Sequence, residues 1–329
     1  MRSTLPRFPL AAAITISVLL SLSPAFGQTP ANQQCSLAVV SRALPSSPSV
    51  CETTLVRDLA RQGHAFEQNQ LGLASILAFG PDYNAKEALA WFAKSAQRGY
   101  APAQVNLAVM YANGWGTPTN YALALHWLQA AADQRFARAY YNLGILYLQG
   151  QGVHQDNAEA FRWFQKGATA GDGSAQTNLG YMYDQGLGCK DTGCKQDLAA
   201  AVLWYSKAAE AGNALGQNNL ADLYLRGVGV PQDDSKAFAL FRKAAAQGNT
   251  GARIKLGYMY AEGRAGSKDP ETAYTWIKAA ALDGDARGHD LLHALEKVLS
   301  KDQLAHARDR AETLRSQSNQ QLSAATFNQ

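Results

Sequence analysis

The side chains of this chain that could do chemistry are a histidine pair and a set of carboxylates. His289 and His293 stand four residues apart, so on a helix they share a face and could grip one metal ion. A metal needs more ligands than two, and no third is evident from the sequence; the competing reading is a helix-end packing pair. His64, His126, His154 and His306 stand singly and read as surface residues. Asp184 and Asp222 occupy similar places in successive stretches of chain. On neighbouring packed helices, about 8–10 Å apart, their carboxylates would approach the separation of about 6.5–9.5 Å used in inverting glycoside hydrolysis. Exposed Asp pairs more often serve recognition or solubility. The chain has no Ser-x-x-Lys nucleophile, no Gly-x-Ser-x-Gly elbow, no His-Glu-x-x-His and no glycine-rich phosphate loop. The expectation is a protein that is not an enzyme and carries no metal or cofactor.

The elements that would position any such group repeat along the chain. A leucine returns at Leu71, Leu107, Leu143, Leu179, Leu220, Leu256 and Leu292, in steps of 36 residues with one step of 41. Ala88, Ala124, Ala160, Ala201, Ala237 and Ala273 keep the same phase, as do Trp91, Trp127, Trp163, Trp204 and Trp276. A period of this size marks an array of supersecondary units. Within one unit, Ala175, Leu179, Gly180 and Tyr183 lie on one helical face, and Gly186-Leu187-Gly188 then ends that helix. Asn84, Asn120, Asp156, Asp197, Asp233 and Asp269 stand where the second helix needs an N-cap. Glu87 and Glu159 complete capping boxes, and Pro270 fills a first helical position. The second helix buries Ala201, Trp204, Ala208 and Ala209 and stops at Gly212; Arg135 is the one exception among the stop glycines. One hairpin cannot bury its apolar faces alone, but stacked neighbours can.

Tyr141-Asn142-Leu143-Gly144, Tyr147, Gly150-Gln151-Gly152-Val153, Asp156, Ala160, Trp163, Lys166 and Ala168 together resemble the Sel1-like repeat, a branch of the tetratricopeptide superfamily. The resemblance covers residues 64–299. It implies an all-α, right-handed α/α superhelical solenoid of helix–turn–helix repeats, whose members act as adaptors and scaffolds for protein complexes. Some exported cysteine-rich relatives have been linked to penicillin binding, but this chain has one cysteine pair in the array at a different spacing. That activity is not carried over.

The ends fall outside the array. Arg2 and Arg7 precede the apolar run Leu10–Leu22, and Ala25-Phe26-Gly27 offers small residues for cleavage before Gln28. This reads as a signal peptide over 1–27, too short for a bilayer, which takes about 20 apolar residues. A periplasmic or secreted chain with no membrane span in its mature form is expected. Lys and Arg number 30 against 26 Asp and Glu, without a basic run, so nothing points to nucleic acid. Cys35/Cys51 and Cys189/Cys194 form an even set, and the second pair brackets the five-residue insertion of the long step. In an oxidising compartment two disulfides are expected, in preference to a zinc site whose two halves would lie repeats apart. Residues 28–63 read as an N-terminal cap, with Glu52–Gln62 a helix partnered by Gln33–Leu44. Ser300 and Gln303 form a capping box for a last helix bearing Leu304, Ala307, Ala311 and Leu314. Ser316–Gln329, polar and rich in Gln and Ser, is expected to be a disordered tail.

Recognition would be written where the copies differ. Positions −2, +2 and +5 from the repeat leucine lie about 140–200° from it on a helix of 100° per residue. The resemblance places that face in a concave groove that takes a protein or peptide. The candidates are Tyr141, Ile145, Thr177, Tyr181, Asp184, Asn218, Asp222, Ile254 and Tyr258. Trp115, between two turn glycines, is a second candidate.

Overall fold

The computed structural model describes residues 50–77, 84–188, 195–264 and 266–328. All regular structure in them is helical. The chain divides into two compact units, the first lying within Ala13–Asp156 together with Ser323–Gln329, the second within Asn157–Leu322. The first unit holds α1 (Val50–Gln62), α2 (Ala65–Leu77), α3 (Ala85–Gln97), α4 (Ala101–Asn113), α5 (Tyr121–Asp133) and α6 (Ala137–Gln149). The second holds α7 (Asn157–Thr169), α8 (Gly173–Gln185), α9 (Leu198–Glu210), α10 (Ala214–Arg226), α11 (Asp234–Ala246), α12 (Thr250–Glu262) and α13 (Pro270–Leu282). A short 3-10 turn (Ala286–Gly288), α14 (His289–Glu296) and α15 (Lys301–Asn328) follow. Consecutive helices pack pairwise, α2 on α3 and α4 on α5 in the first unit, α8 on α9, α10 on α11 and α12 on α13 in the second. This is an all-α solenoid of paired helices.

The caps behave as their chemistry requires. Asn84, Asn120, Asp197, Asp233 and Asp269 each accept from the amide three residues on. A second set stands before the first helices, where Asp172, Asn213 and Asn249 do the same. Turn glycines take the left-handed backbone, for example Gly227 at φ 63° and Gly229 at φ 73°, and Arg135 adopts φ 60° where the other copies have glycine.

The core differs from the sequence expectation in one column. The recurrent tryptophans are only half-buried, and Lys94, Lys166 and Lys207 lie over the rings of Trp91, Trp163 and Trp204 at 4.1–4.4 Å. The residue after each tryptophan slot is the one sealed inside: Phe92, Leu128, Phe164, Tyr205, Phe241 and Ile277. The recurrent alanines from Ala88 to Ala273 are wholly buried, as expected of close helix contacts. Gly180 shows what the small residues permit. A Cβ there would lie 2.8 Å from the Tyr205 ring, so only glycine lets that ring cross α8.

A further bond ties each first helix to the helix before it. Gln68, Gln104, Tyr140, Gln176, Gln217 and Arg253 donate from the side chain to the carbonyls of Ala60, Ala96, Ala132, Ala168, Ala209 and Ala245, at 2.9–3.3 Å. Each adds a second donor to a helix-end carbonyl that already accepts the amide of the residue that stops the helix.

Two expectations are corrected. No disulfide is present among the described residues. Cys35, Cys189 and Cys194 lie outside them, as does the Cys51 side chain. The flanks of the insertion are instead held by hydrogen bonds, from the Asp197 amide to the Tyr183 carbonyl at 2.9 Å and from Gln196 Nε2 to the Asp184 carbonyl at 2.7 Å. The tail expected to be disordered continues α15 to Asn328, over a stretch with neither Gly nor Pro to stop it. Ser300 and Gln303 do form the reciprocal capping box, and Ala307 and Ala311 are buried. Ser318 is buried too, against Arg253 and the Ala246 carbonyl. The signal-peptide residues and the helix expected over Gln33–Leu44 lie outside the described residues.

Candidate protein-binding interface

The residues that vary between copies fall into two groups. Tyr141 and Ile145, in the first unit, are buried, at 2% and 0% exposure. Thr177, Asn218 and Ile254, in the second, are buried as well. Thr177 Oγ1 bonds the Gly173 carbonyl at 2.8 Å and Asn213 Oδ1 at 3.1 Å, tying α8 to the cap of α10. First helices of successive hairpins touch, α8 against α10, so the flank at −2 is covered by the neighbour. Angle from the leucine alone cannot register that cover.

Tyr181, Asp184, Lys255 and Tyr258 are half-buried and reach solvent. They stand on α8 and α12, on either side of Asp222 on α10. Asp222 is 9% exposed and pairs with Arg226 at 3.2 Å, one turn on, and with Lys255 at 3.1 Å from the next repeat. Asp184 accepts from the side-chain amides of Gln185 at 3.0 Å and Gln196 at 3.4 Å.

The residue that sequence reasoning missed is Tyr205. Its slot holds Phe92, Leu128, Phe164, Phe241 and Ile277 in the other copies, so it alone carries a hydroxyl there. Burial pushes that hydroxyl well above the ordinary tyrosine pKa, the charges of Asp184 and Asp222 push the same way, and a bond with Asn219 opposes them. The ring crosses α8 at Gly180, and the hydroxyl it carries stays inside the core, bonded to Asn219 of α10. The signal was the single Tyr in an otherwise apolar column.

Trp115 is 38% exposed in the turn after α4. The equivalent turn residue Arg264 folds back onto Asp234 at 2.8 Å, so this slot clasps the preceding hairpin in at least one copy. His289 and His293 are both exposed, and among the described residues no three His, Cys, Asp or Glu side chains stand together as a metal site. No helix of the described residues is long and apolar enough to cross a membrane.

The Sel1 repeat profile matches this chain six times in succession, over 68–100, 101–136, 137–172, 173–213, 214–249 and 251–285. The chain belongs to the Sel1-repeat family. Among solved structures it is similar to a Sel1 repeat protein from Oxalobacter formigenes, at 32% identity and a TM-score of 0.59 over 70% of this chain and 94% of that one. It is also similar to c5321, a protective antigen present in uropathogenic Escherichia coli strains, at 29% identity and a TM-score of 0.53 over 84% and 66%. The immunity protein PA5088 from Pseudomonas aeruginosa shares the fold at 22% identity and a TM-score of 0.50, over 70% and 86%. No curated protein matches. In Sel1-repeat terms, the hairpin framework of this chain is held by the repeated caps, alanines and side-chain-to-carbonyl bonds. The copy-specific polar groups gather on the first helices of the second unit.

Proposed function

We propose that this Sel1-repeat chain is a non-catalytic scaffold that holds a protein or peptide partner on the first-helix face of its second unit. The observation that carries the proposal is the set of Tyr181, Asp184, Asp222, Lys255 and Tyr258 on the first helices of that unit. Three helices supply it, α8, α10 and α12, and no other copy supplies the same types. Tyrosines flanking fixed charges are typical anchors of protein interfaces. A glycosidase reading of Asp184 and Asp222 is not favoured. The first accepts from two side-chain amides and the second pairs with two cations, contacts that suit a recognition surface. We also propose that the chain works outside the cytoplasm, on the strength of its N-terminal Arg2, Arg7 and Leu10–Leu22 pattern.

The test is site-specific photo-crosslinking in the producing cell, with the reactive residue at Tyr181 or Tyr258 and, for contrast, at Leu203, which is 51% exposed on α9. The expected result is a discrete protein adduct from the first two positions and none from Leu203. An adduct from Leu203 alone would move the interface to the second helices. The mass of the mature chain checks export: an N-terminus at Gln28 is expected.

A further inference from the structure

Arg135 keeps a cation where the pattern of the chain calls for glycine. The residue that stops the second helix is Gly63, Gly99, Gly171, Gly212, Gly248 or Gly284 in the other copies. Arg135 takes the same left-handed backbone, at φ 60°, and is the one residue other than glycine to do so among the described residues. A side chain in that conformation costs stability that glycine does not. The Arg135 side chain is exposed and makes no ion pair with any other described residue. The strained position therefore holds a charge out to solvent.

One hairpin earlier, Arg98 stands at the end of α3, likewise exposed and without an ion pair among the described residues. Its guanidinium rests on Gly63, where any side chain would displace it. The loop is open, for a Cβ on Gly99 would meet no atom within 4 Å. Arg138, half-buried over the Tyr141 ring at 5.5 Å, adds a charge in the first turn of α6. The two loops and their flanking turns, residues 94–103 and 130–140, carry Lys94, Arg98, Arg135 and Arg138 against Asp133 alone. Asp133 accepts from Gln129 at 2.7 Å. The second unit builds its corresponding loops with acceptors: Asp172, Asn213, Asn249 and Asp285 each take a following amide. α4 and α6 begin instead at Tyr100 and Phe136, which supply no side-chain cap. No capping carboxylate thus opposes the arginines, and the positive ends of two helices add to the same field.

We propose that this edge of the first unit holds an acidic protein segment in extended form, its carboxylates meeting Arg98 and Arg135. A guanidinium matches a carboxylate with two parallel hydrogen bonds. Packed helices lie about 8–10 Å apart, and an extended chain rises about 3.3 Å per residue. Acidic residues about three apart in sequence would therefore reach the two arginines in turn. An anionic bilayer fits less well. The exposed large hydrophobics of this unit, Trp115 and Leu123, stand at the opposite end of the hairpins, where they cannot insert beside the arginines.

The probe is a fluorescent peptide of repeated Glu-Gly-Gly units, titrated with the full chain at low salt and followed by anisotropy. Saturable binding is expected, weakening as salt is raised, while a Gln-Gly-Gly counterpart should not bind. Arg98→Gln/Arg135→Gln should weaken binding by about tenfold or more. Arg135→Gly restores the usual stop residue, so it should melt higher than wild type yet bind the peptide less tightly. Arg242→Gln/Lys243→Gln removes the same net charge from exposed positions on α11 and should leave binding as it is. Tyr181→Ala/Tyr258→Ala should also leave it intact, even where crosslinking is lost, so the two surfaces fail separately. Absence of saturation, or an equal loss from the α11 pair, would overturn the proposal. So would binding to phosphatidylglycerol vesicles but not to the peptide, which would give the edge to a bilayer.

Discussion

The amide of Asp197 donates to the carbonyl of Tyr183 at 2.9 Å across the inserted residues. The same bond joins Asn120 to Tyr111, Asp233 to Tyr224 and Asp269 to Tyr260, at 2.8–3.0 Å, where nothing is inserted. Each clamps the N-cap of a second helix to the last turn of the first, so the hairpin closes identically whatever loop lies between. The register of the array is set by this clamp and by the cap beneath it.

Removing five residues from within 189–194 should therefore leave α8 and α9 packed as they are. Loop length enters stability only logarithmically, so a change of less than about 1 kcal/mol is expected. Thermal unfolding checks it. A large loss, or a transition broken into two, would show that the insertion itself holds the fourth hairpin together.

Phe164 and Trp163 separate core from cover. Phe164 is fully buried, and Phe164→Ala should cost about 3–5 kcal/mol. Trp163 is half-buried beneath Lys166, so Trp163→Ala should cost clearly less, although it removes the larger side chain. Denaturant midpoints of the two variants give the comparison. A greater loss for Trp163 would return the tryptophan column to the core.

The repeat, the caps and the turn glycines were legible because each is a local rule applied six times. The tryptophan column misled because period alone does not fix phase. Trp163 and Phe164 recur equally well, and a helix turns about 100° between them, enough to exchange inside for edge. The site was harder. Thr177 and Asn218 look outward when measured from their own leucines, but α8 and α10 touch and cover that flank. Tyr205 could have been found from its hydroxyl in an apolar column, but not that the hydroxyl meets Asn219 of the next first helix. Arg253 is the clearest non-local case. It stands in the slot held by Gln68, Gln104, Tyr140, Gln176 and Gln217, and its partners Asp283 and Ser318 come from distant elements.

Asp285 should give the C-terminal repeat an acid-sensitive contribution. Arg287 holds its carboxyl down to about 2 from an ordinary 3.8, chiefly through a side-chain hydrogen bond, with the Arg287 amide and Thr250 helping. A carboxyl lowered by folding adds stability that is present above about pH 4 and is lost as pH falls toward 2. Arg287 stands partly in solvent, so the contribution is at most about 2 kcal/mol and smaller in salt. Asp285→Asn should lower the melting temperature at pH 7 and narrow its gap from wild type as the pH approaches 2. A gap that stays constant with pH would assign the loss to the cap alone.

Arg253 is a fully buried cation, and Asp283 is the carboxylate it meets. Burial pulls the guanidinium pKa down and Asp283 raises it again. In earlier copies the corresponding contacts are neutral: Gln134 donates to Gln104 at 2.8 Å and Gln247 to Gln217 at 2.9 Å. Asp283→Asn would strand the charge in the interior, and a loss of about 3 kcal/mol is expected, because an unpaired buried ion keeps its desolvation cost. Arg253→Gln/Asp283→Gln would rebuild the neutral pair of the other repeats and should recover most of that loss. It should also loosen the second half of α15, since Ser318 then has no guanidinium to hold it, and amide exchange there should quicken. If the double variant is as unstable as Asp283→Asn, the charge is not what the pair supplies, and the fold depends on the arginine's shape instead.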